Sequence, residues 1–120
     1  MSPFSLREEP DALVITVDEA AALNDFRSNS FRDALYELVQ DHVQNRVAFN
    51  LEKVDFLSSS GVAILVGLKR RLDARQGKLV LFGVQPVVQD LLRITRLAQY
   101  FAFVETEEDA LALLRPSPTA

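Results

Sequence analysis

The chain has 120 residues, the size of one ordinary domain, with 48% hydrophobic and 25% charged residues, a composition typical of soluble globular proteins. It has no cysteine and a single histidine, His42, which excludes disulfides, thiolate metal sites, cysteine nucleophiles and multi-histidine metal sites. Its net charge of −4 argues against nucleic acid as the main partner.

The first ten residues lack the apolar stretch of a secretory signal, and they carry Arg7, Glu8 and Glu9. The longest apolar run, Val62 to Leu68, is far shorter than the ~20 residues that a spanning helix needs. We therefore expect a cytoplasmic protein that does not insert into a membrane.

The start of the chain predicts an antiparallel hairpin. Phe4 to Glu8 alternates weakly, and Ala12 to Val17 is β-branched and apolar, as strands are. Pro10 and Asp11 between them favour a turn. The following connection, Asp18 to Arg27, has no pattern that identifies its structure.

Beyond residue 27, predicted helices and strands alternate along the chain. The predicted strands are Arg46 to Leu51, Lys78 to Phe82 and Phe101 to Val104. The first predicted helix begins at a cap at Ser28 or Ser30 and ends at about His42, and the second runs from the serines at 58–60 to a stop at Gly77. The third begins at Pro86 and has an apolar face of Val87, Val88, Leu91 and Leu92. The fourth begins at a cap at Thr106.

This order predicts a single α/β domain, because alternating strands and helices build mainly parallel sheets with helices packed on them. We expect a mixed, mainly parallel sheet of about five strands with about four helices. The domain is expected to span residues 1–115, followed by a disordered tail at 116–120.

The serine run Ser58-Ser59-Ser60-Gly61 lies where a predicted loop becomes a helix. The first N–H groups of a helix lack partners within the helix, and serine oxygens can accept from them. The same unpaired donors and the positive end of the helix dipole suit an anion such as a phosphate. Three hydroxyls exceed the needs of one cap, although the residue chemistry alone favours an ordinary cap with spare serines.

The helix after the serines is apolar on every side from Val62 to Leu68, whereas a surface helix normally shows one apolar stripe. A core face at helical spacing leaves Val62, Val66 and a notch at Gly67 outside it. Either neighbouring elements cover these residues, or they form a small exposed apolar patch of the kind that marks a protein interface.

These residues carry a resemblance to a known family. The stretches Val54 to Val62 and Gly77 to Phe82 resemble the core of the STAS superfamily, in particular the bacterial anti-sigma-factor antagonists. The segment from Pro86 to Phe101 and the closing Thr106 to Leu111 are similar to the family's later elements. The resemblance implies a binding module with no enzymatic activity, no cofactor and no metal.

The resemblance also implies which residues form the site. The family's phosphorylated serine, the first of a Ser-Ser/Thr-Gly triplet, corresponds to Ser59, with Ser58 and Ser60 as second candidates. The family's preceding Asp is Ser58 here, and a Leu-Asp pair is best matched by Leu23-Asn24, with Asp18 and Asp25 as nearby alternatives. On the Asn24 match, two carboxylates are replaced by neutral groups. The residues implied in partner binding are Asn24, Ser58, Ser60, Gly61, Val62 and Val66.

In such antagonists the partner is an anti-sigma factor that is also a serine kinase. The kinase binds the unphosphorylated domain and releases its sigma factor, phosphorylation breaks the complex, and a serine phosphatase resets it. An alternative within the same fold is a scaffolding STAS domain that binds partners without phosphorylation, and the missing Asp favours this alternative.

Two other function classes have weaker support in the sequence. Ser59 and Gly61 match half of a Gly-x-Ser-x-Gly nucleophile elbow, but Leu57 replaces the first glycine and His42 is the sole candidate base. No phosphate-binding glycine motif for nucleotides is present, so a nucleotide would have to bind at the serine run.

Overall fold

The computed structural model describes residues 4–18 and 28–116. The strands are β1 (Phe4–Glu9), β2 (Ala12–Val17), β3 (Arg46–Asn50), β4 (Lys78–Phe82) and β5 (Ala102–Val104). The helices are α1 (Ser28–Asp41), α2 (Ser59–Ala74), α3 (Pro86–Ile94) and α4 (Glu107–Leu114). The predicted α/β class, the five strands and the four helices are confirmed.

The five strands form one sheet in the order β1-β2-β3-β4-β5. β1 and β2 are antiparallel, and the other three neighbouring pairs are parallel because a helix connects each of them. One row of aligned residues crosses the sheet, namely Leu6, Ile15, Phe49, Leu81 and Phe103. The prediction of a mixed, mainly parallel sheet is therefore confirmed, including its opening hairpin.

Both faces of the sheet are covered, which explains why its inner strands are apolar throughout. Alternate residues of a strand face opposite sides. In β3, Phe49 joins the larger core under α1, α2 and α3, whereas Ala48 joins a smaller core with Ala110 and Leu114 of α4. The predicted cap of α4 is present, since Thr106 Oγ1 accepts the Asp109 N–H at 3.1 Å.

Helix α3 buries a narrower face than its apolar residues predicted. Val88 and Leu92 are fully buried, but Leu91 is only partly buried and Val87 is 49% exposed. Ile94 is 77% exposed. A helix that lies on a sheet buries residues three or four positions apart, so the second residue of each Val-Val and Leu-Leu pair faces the core here.

The notch at Gly67 is filled by α1. The Tyr36 hydroxyl donates a hydrogen bond to the Ile64 carbonyl at 2.9 Å, and the Arg71 guanidinium lies 3.9 Å from the centre of the tyrosine ring. A Cβ at position 67 would lie 2.1 Å from the tyrosine oxygen. Gly67 is thus a packing contact between helices, and it does not belong to an exposed patch.

Gly77 does not end α2 in the predicted way. The helix ends at Ala74, and the left-handed residue of the following turn is Gln76, with φ 60°. The Gly77 N–H then donates to the Leu72 carbonyl at 2.7 Å, as in a Schellman motif. Glycine is required at 77 because a Cβ there would lie 2.1 Å from the Asn45 carbonyl oxygen.

The ends of α1 and α2 are joined by one arginine. The Arg75 guanidinium donates to the carbonyls of Val39 at 2.8 Å, His42 at 2.6 Å and Val43 at 3.2 Å. In return, the Asn45 side-chain amide donates to the Arg75 carbonyl at 2.7 Å. Carbonyls at and just beyond the C-terminus of α1 thereby gain a charged donor, and the Val39 carbonyl also accepts the His42 N–H at 3.3 Å.

We predict opposite effects on stability at two adjacent positions. Gln76→Gly should raise the free energy of unfolding by about 0.5–1 kcal/mol, because glycine adopts a left-handed backbone without steric cost. Gly77→Ala should lower it by about 1–3 kcal/mol, because its Cβ overlaps a backbone carbonyl that cannot move independently. Urea unfolding followed by circular dichroism measures both effects, and changes of the same sign would contradict this interpretation.

The stability contributed by Tyr36 should depend on pH in the alkaline range. Burial raises the pKa of its phenol, an effect that the nearby Arg71 and Arg32 oppose. The folded state therefore holds this proton more tightly than the unfolded chain, and the free energy of unfolding should fall as the pH rises above about 10.

A Tyr36→Phe variant, measured by the same unfolding experiment, provides the control. At pH 8 it should be less stable than the wild type by about 1 kcal/mol, because it loses the hydrogen bond to Ile64. The difference should shrink between pH 10 and 11. A difference that stays constant over this range would show that the ionisation of Tyr36 is not linked to folding.

Candidate functional site at the start of α2

Hydrogen bonds hold the loop between β3 and α2 at the carboxyl edge of the parallel strands. The Leu51 N–H donates to the Phe82 carbonyl at 3.0 Å, and the Glu52 N–H donates to Asn50 Oδ1 at 2.9 Å. The Gln85 side-chain amide donates to the Glu52 carbonyl at 2.7 Å, which joins the loop to the start of α3. These hydrogen bonds connect the loop before α2 to β4 and to the start of α3.

Phe56 is the exposed aromatic residue of this loop. Val54 and Leu57 are buried, whereas Asp55 is exposed and Phe56 is 47% exposed. Phe56 is not among the predicted site residues, because a loop has no periodicity that distinguishes a buried apolar residue from an exposed one. An aromatic ring in this position is a common anchor for a protein partner.

The three serines have different surroundings. Ser58 is the N-cap, and its Oγ accepts the Gly61 N–H at 3.1 Å while its carbonyl accepts the Val62 N–H at 3.0 Å. Ser59 and Ser60 are the first two residues of α2, and both are exposed. The Ser58 hydroxyl thus caps the helix, and Ser59 and Ser60 are exposed to solvent.

The structure brings most of the predicted binding residues onto the first two turns of α2. Gly61 is buried, Val62 and Val66 are partly buried against the larger core, and Ala63 is exposed. The apolar surface beside the serines is therefore smaller than the composition of the helix suggested. Asn24 lies outside the described residues.

Neither the cap nor the first turn of α2 carries the acidic residue that usually complements a helix dipole, since the cap is the neutral Ser58. In the preceding loop, Asp55 is exposed, and Lys53 pairs with Asp18 at 3.8 Å. The positive end of the dipole is thus available to an added anion.

The structure separates the one histidine from the serines. The His42 carbonyl accepts from Arg75, which follows the last turn of α2, whereas Ser59 begins that helix. Sixteen residues of helix span about 24 Å. The His42 Nδ1 forms a 2.7 Å hydrogen bond with the Leu38 carbonyl, so this residue is not placed to activate Ser59.

Within the described ranges 4–18 and 28–116, no helix has the length and apolar character needed to cross a membrane.

We predict that the three serines differ in their contribution to stability. Ser58→Ala should lower the free energy of unfolding by about 1 kcal/mol, because the N-cap acceptor is lost. Ser60→Ala removes an exposed hydroxyl from the same helix turn and should change stability by less than about 0.5 kcal/mol. Chemical unfolding of both variants measures the difference, and equal effects would argue against the assigned cap.

Curated proteins with similar sequences include anti-sigma factor antagonists. The chain is 24% identical over 101 residues to the anti-sigma F factor antagonist of Paenibacillus polymyxa, a match that covers 84% of this chain and 86% of that protein. Matches to BtrV of Bordetella bronchiseptica and to a Lysinibacillus sphaericus antagonist span only 65% and 58% of those proteins.

Solved structures share the fold at low identity. The unphosphorylated anti-sigma factor antagonist SpoIIAA superimposes with a TM-score of 0.76 at 24% identity, covering 93% of this chain and 96% of that one. Its phosphorylated form from Bacillus gives 0.65 at 22% identity, covering 93% and 99%. A chain of the stressosome, a signal integration and transduction hub, gives 0.75 at 18%, covering 92% and 95%.

A family model also matches most of the sequence. It describes the STAS domain, and it aligns with residues 3–110, which include every strand, α1 to α3 and the serine run. With this match and the shared fold, the chain belongs to the STAS domain family.

Proposed function

We propose that this domain is an anti-sigma factor antagonist that is switched by phosphorylation of Ser59. In its unphosphorylated form it binds an anti-sigma factor in the bacterial cytoplasm and thereby releases a sigma factor. The anti-sigma factor is also the serine kinase that phosphorylates Ser59, and a serine phosphatase removes the phosphate. The domain itself supplies a binding surface and catalyses no reaction.

The exposed Ser59 hydroxyl at the first position of α2 is the observation that carries this proposal. A kinase needs a hydroxyl that it can reach, and the cap hydrogen bond at Ser58 leaves Ser59 exposed. The hydrogen bonds that connect the preceding loop to β4 and α3 also help to hold Ser59 in place at the surface.

The physical effect of phosphorylation follows from the surroundings of Ser59. A phosphate adds about −1.5 to −2 charges. In the free domain the start of α2, whose cap and first turn carry no acidic residue, accommodates this charge. Ala63 and the partly buried Val62 and Val66 lie on the next turns, so a docked partner would have to desolvate that charge beside apolar surface. Partner release then requires no change of fold.

A scaffolding function is the second candidate, because the chain carries Ser58 where the family's usual residue is an aspartate. A neutral cap removes one carboxylate from the immediate surroundings of Ser59. On that alternative the same surface binds a partner within a signalling assembly, and no phosphate is added to Ser59.

The two candidates are separated by capturing the partner and testing the reaction. The tagged domain is incubated with a lysate of its source cells, and an anti-sigma factor should be identified by mass spectrometry in the bound fraction. The purified partner and ATP should then add one phosphate, 80 Da in intact mass, to the wild type and to Ser60→Ala but none to Ser59→Ala.

Phosphomimetic variants test the switch itself. Ser59→Glu should weaken binding to the purified anti-sigma factor at least tenfold in calorimetry, because the carboxylate lies within the contact surface, whereas Ser60→Ala should bind like the wild type. A Ser59→Glu variant that binds as tightly as the wild type contradicts the switch. Binding without phosphate transfer favours the scaffold.

A further inference from the structure

We infer that the partner surface extends along α2 from Ser59 to Arg70 and that Arg70 forms an ion pair with a carboxylate of the partner. This inference rests on the proposed function and adds to it the chemistry of the surface that the domain recognises. The occupant is a protein segment that is apolar opposite Ala63 and Val66 and acidic opposite Arg70.

The charged residues of α2 identify Arg70 as the available cation. The Lys69 ammonium is held by Asp73 at 2.9 and 3.2 Å, and it also lies 4.9 Å from the centre of the Tyr100 ring. Arg71 stacks on Tyr36. Arg70 is exposed, and within residues 4–18 and 28–116 its side chain has no ion pair, hydrogen bond or ring contact.

Arg70 lies on the same stripe of the helix as the proposed phosphorylation site. Ser59, Ala63, Val66 and Arg70 are spaced by four, three and four residues, which places them along one face. Eleven residues of helix separate the first from the last by about 16 Å. The stripe thus carries a hydroxyl at one end, two small apolar residues in the middle and a cation at the other end.

The charges of the surrounding segment favour an acidic partner. Residues 56–104 contain two acidic residues, and both are occupied within their own helices, Asp73 with Lys69 and Asp90 with Arg93 at 3.2 Å. The exposed stripe itself carries Arg70 and no acidic residue, so it is cationic on a chain whose net charge is −4. One arginine on this stripe does not supply the several phosphate contacts of nucleic acid binding, which favours a protein carboxylate.

An acidic partner also gives the switch a second physical cause. A phosphate at Ser59 would lie on the contact surface of a partner that already carries negative charge, so like-charge repulsion adds to the desolvation cost. The phosphorylated domain would present opposite charges at the two ends of the stripe, and only the cationic end would still attract the partner.

The test compares charge reversals at two arginines in binding to the captured anti-sigma factor. Arg70→Glu should weaken binding about tenfold at 100 mM salt, and the loss should shrink at 500 mM, where surface charges are screened. Arg115→Glu is the matched control, since Arg115 is exposed and follows α4, which packs on the opposite face of the sheet from α2, and its substitution makes the same change in net charge. It should bind within a factor of two of the wild type.

The outcomes separate this inference from the proposed function. Equal binding of the wild type and Arg70→Glu overturns the inference and leaves the proposed function intact. Equal losses at both arginines also overturn it, because they indicate a general charge effect. A wild type that captures no anti-sigma factor overturns the proposed function and the inference with it. Circular dichroism and thermal unfolding of each variant verify that it is folded.

Discussion

The start of α2 combines a cap with exposed hydroxyls. Its first N–H groups need acceptors, and Ser58 provides one by accepting the Gly61 N–H. The next two hydroxyls, those of Ser59 and Ser60, are exposed. The buried face of α2 holds the helix on the sheet. The cap at Ser58 therefore determines where the helix begins, and Ser59 and Ser60 are the exposed serines that follow it.

A neutral cap changes the electrostatics of this site without changing its geometry. A carboxylate at the cap would offset part of the helix dipole and would repel a phosphate on the next residue. With Ser58 the cap itself adds no negative charge to the positive end of the helix, while the acceptor function is retained. If Ser59 is phosphorylated as proposed, a neutral cap lowers the electrostatic cost of the phosphate in the free domain relative to a carboxylate cap.

The fold was predictable from sequence because strand and helix periodicities are local, and the alternation of elements specifies a parallel sheet. The faces of individual helices were less predictable. Tyr36 fills the notch at Gly67, and Val87 faces solvent although it lies in an apolar pair, since both depend on which neighbour packs against the helix. The exposure of Phe56, and the lack of a partner for the Arg70 side chain among the residues that the structure describes, depend on contacts across the fold, which periodicity does not encode.

Arg75, which joins the C-terminal ends of α1 and α2, makes the two ends of α2 differ in how they are held. Arg75 binds three carbonyls at the C-terminus of α1, so opening that end would leave a charged donor and several acceptors unpaired at once. The two helix ends therefore belong to one cooperative unit of the folded chain. The opposite end of α2, which carries the exposed Ser59, lies about 24 Å along the helix from this link, so contacts made there need not disturb it.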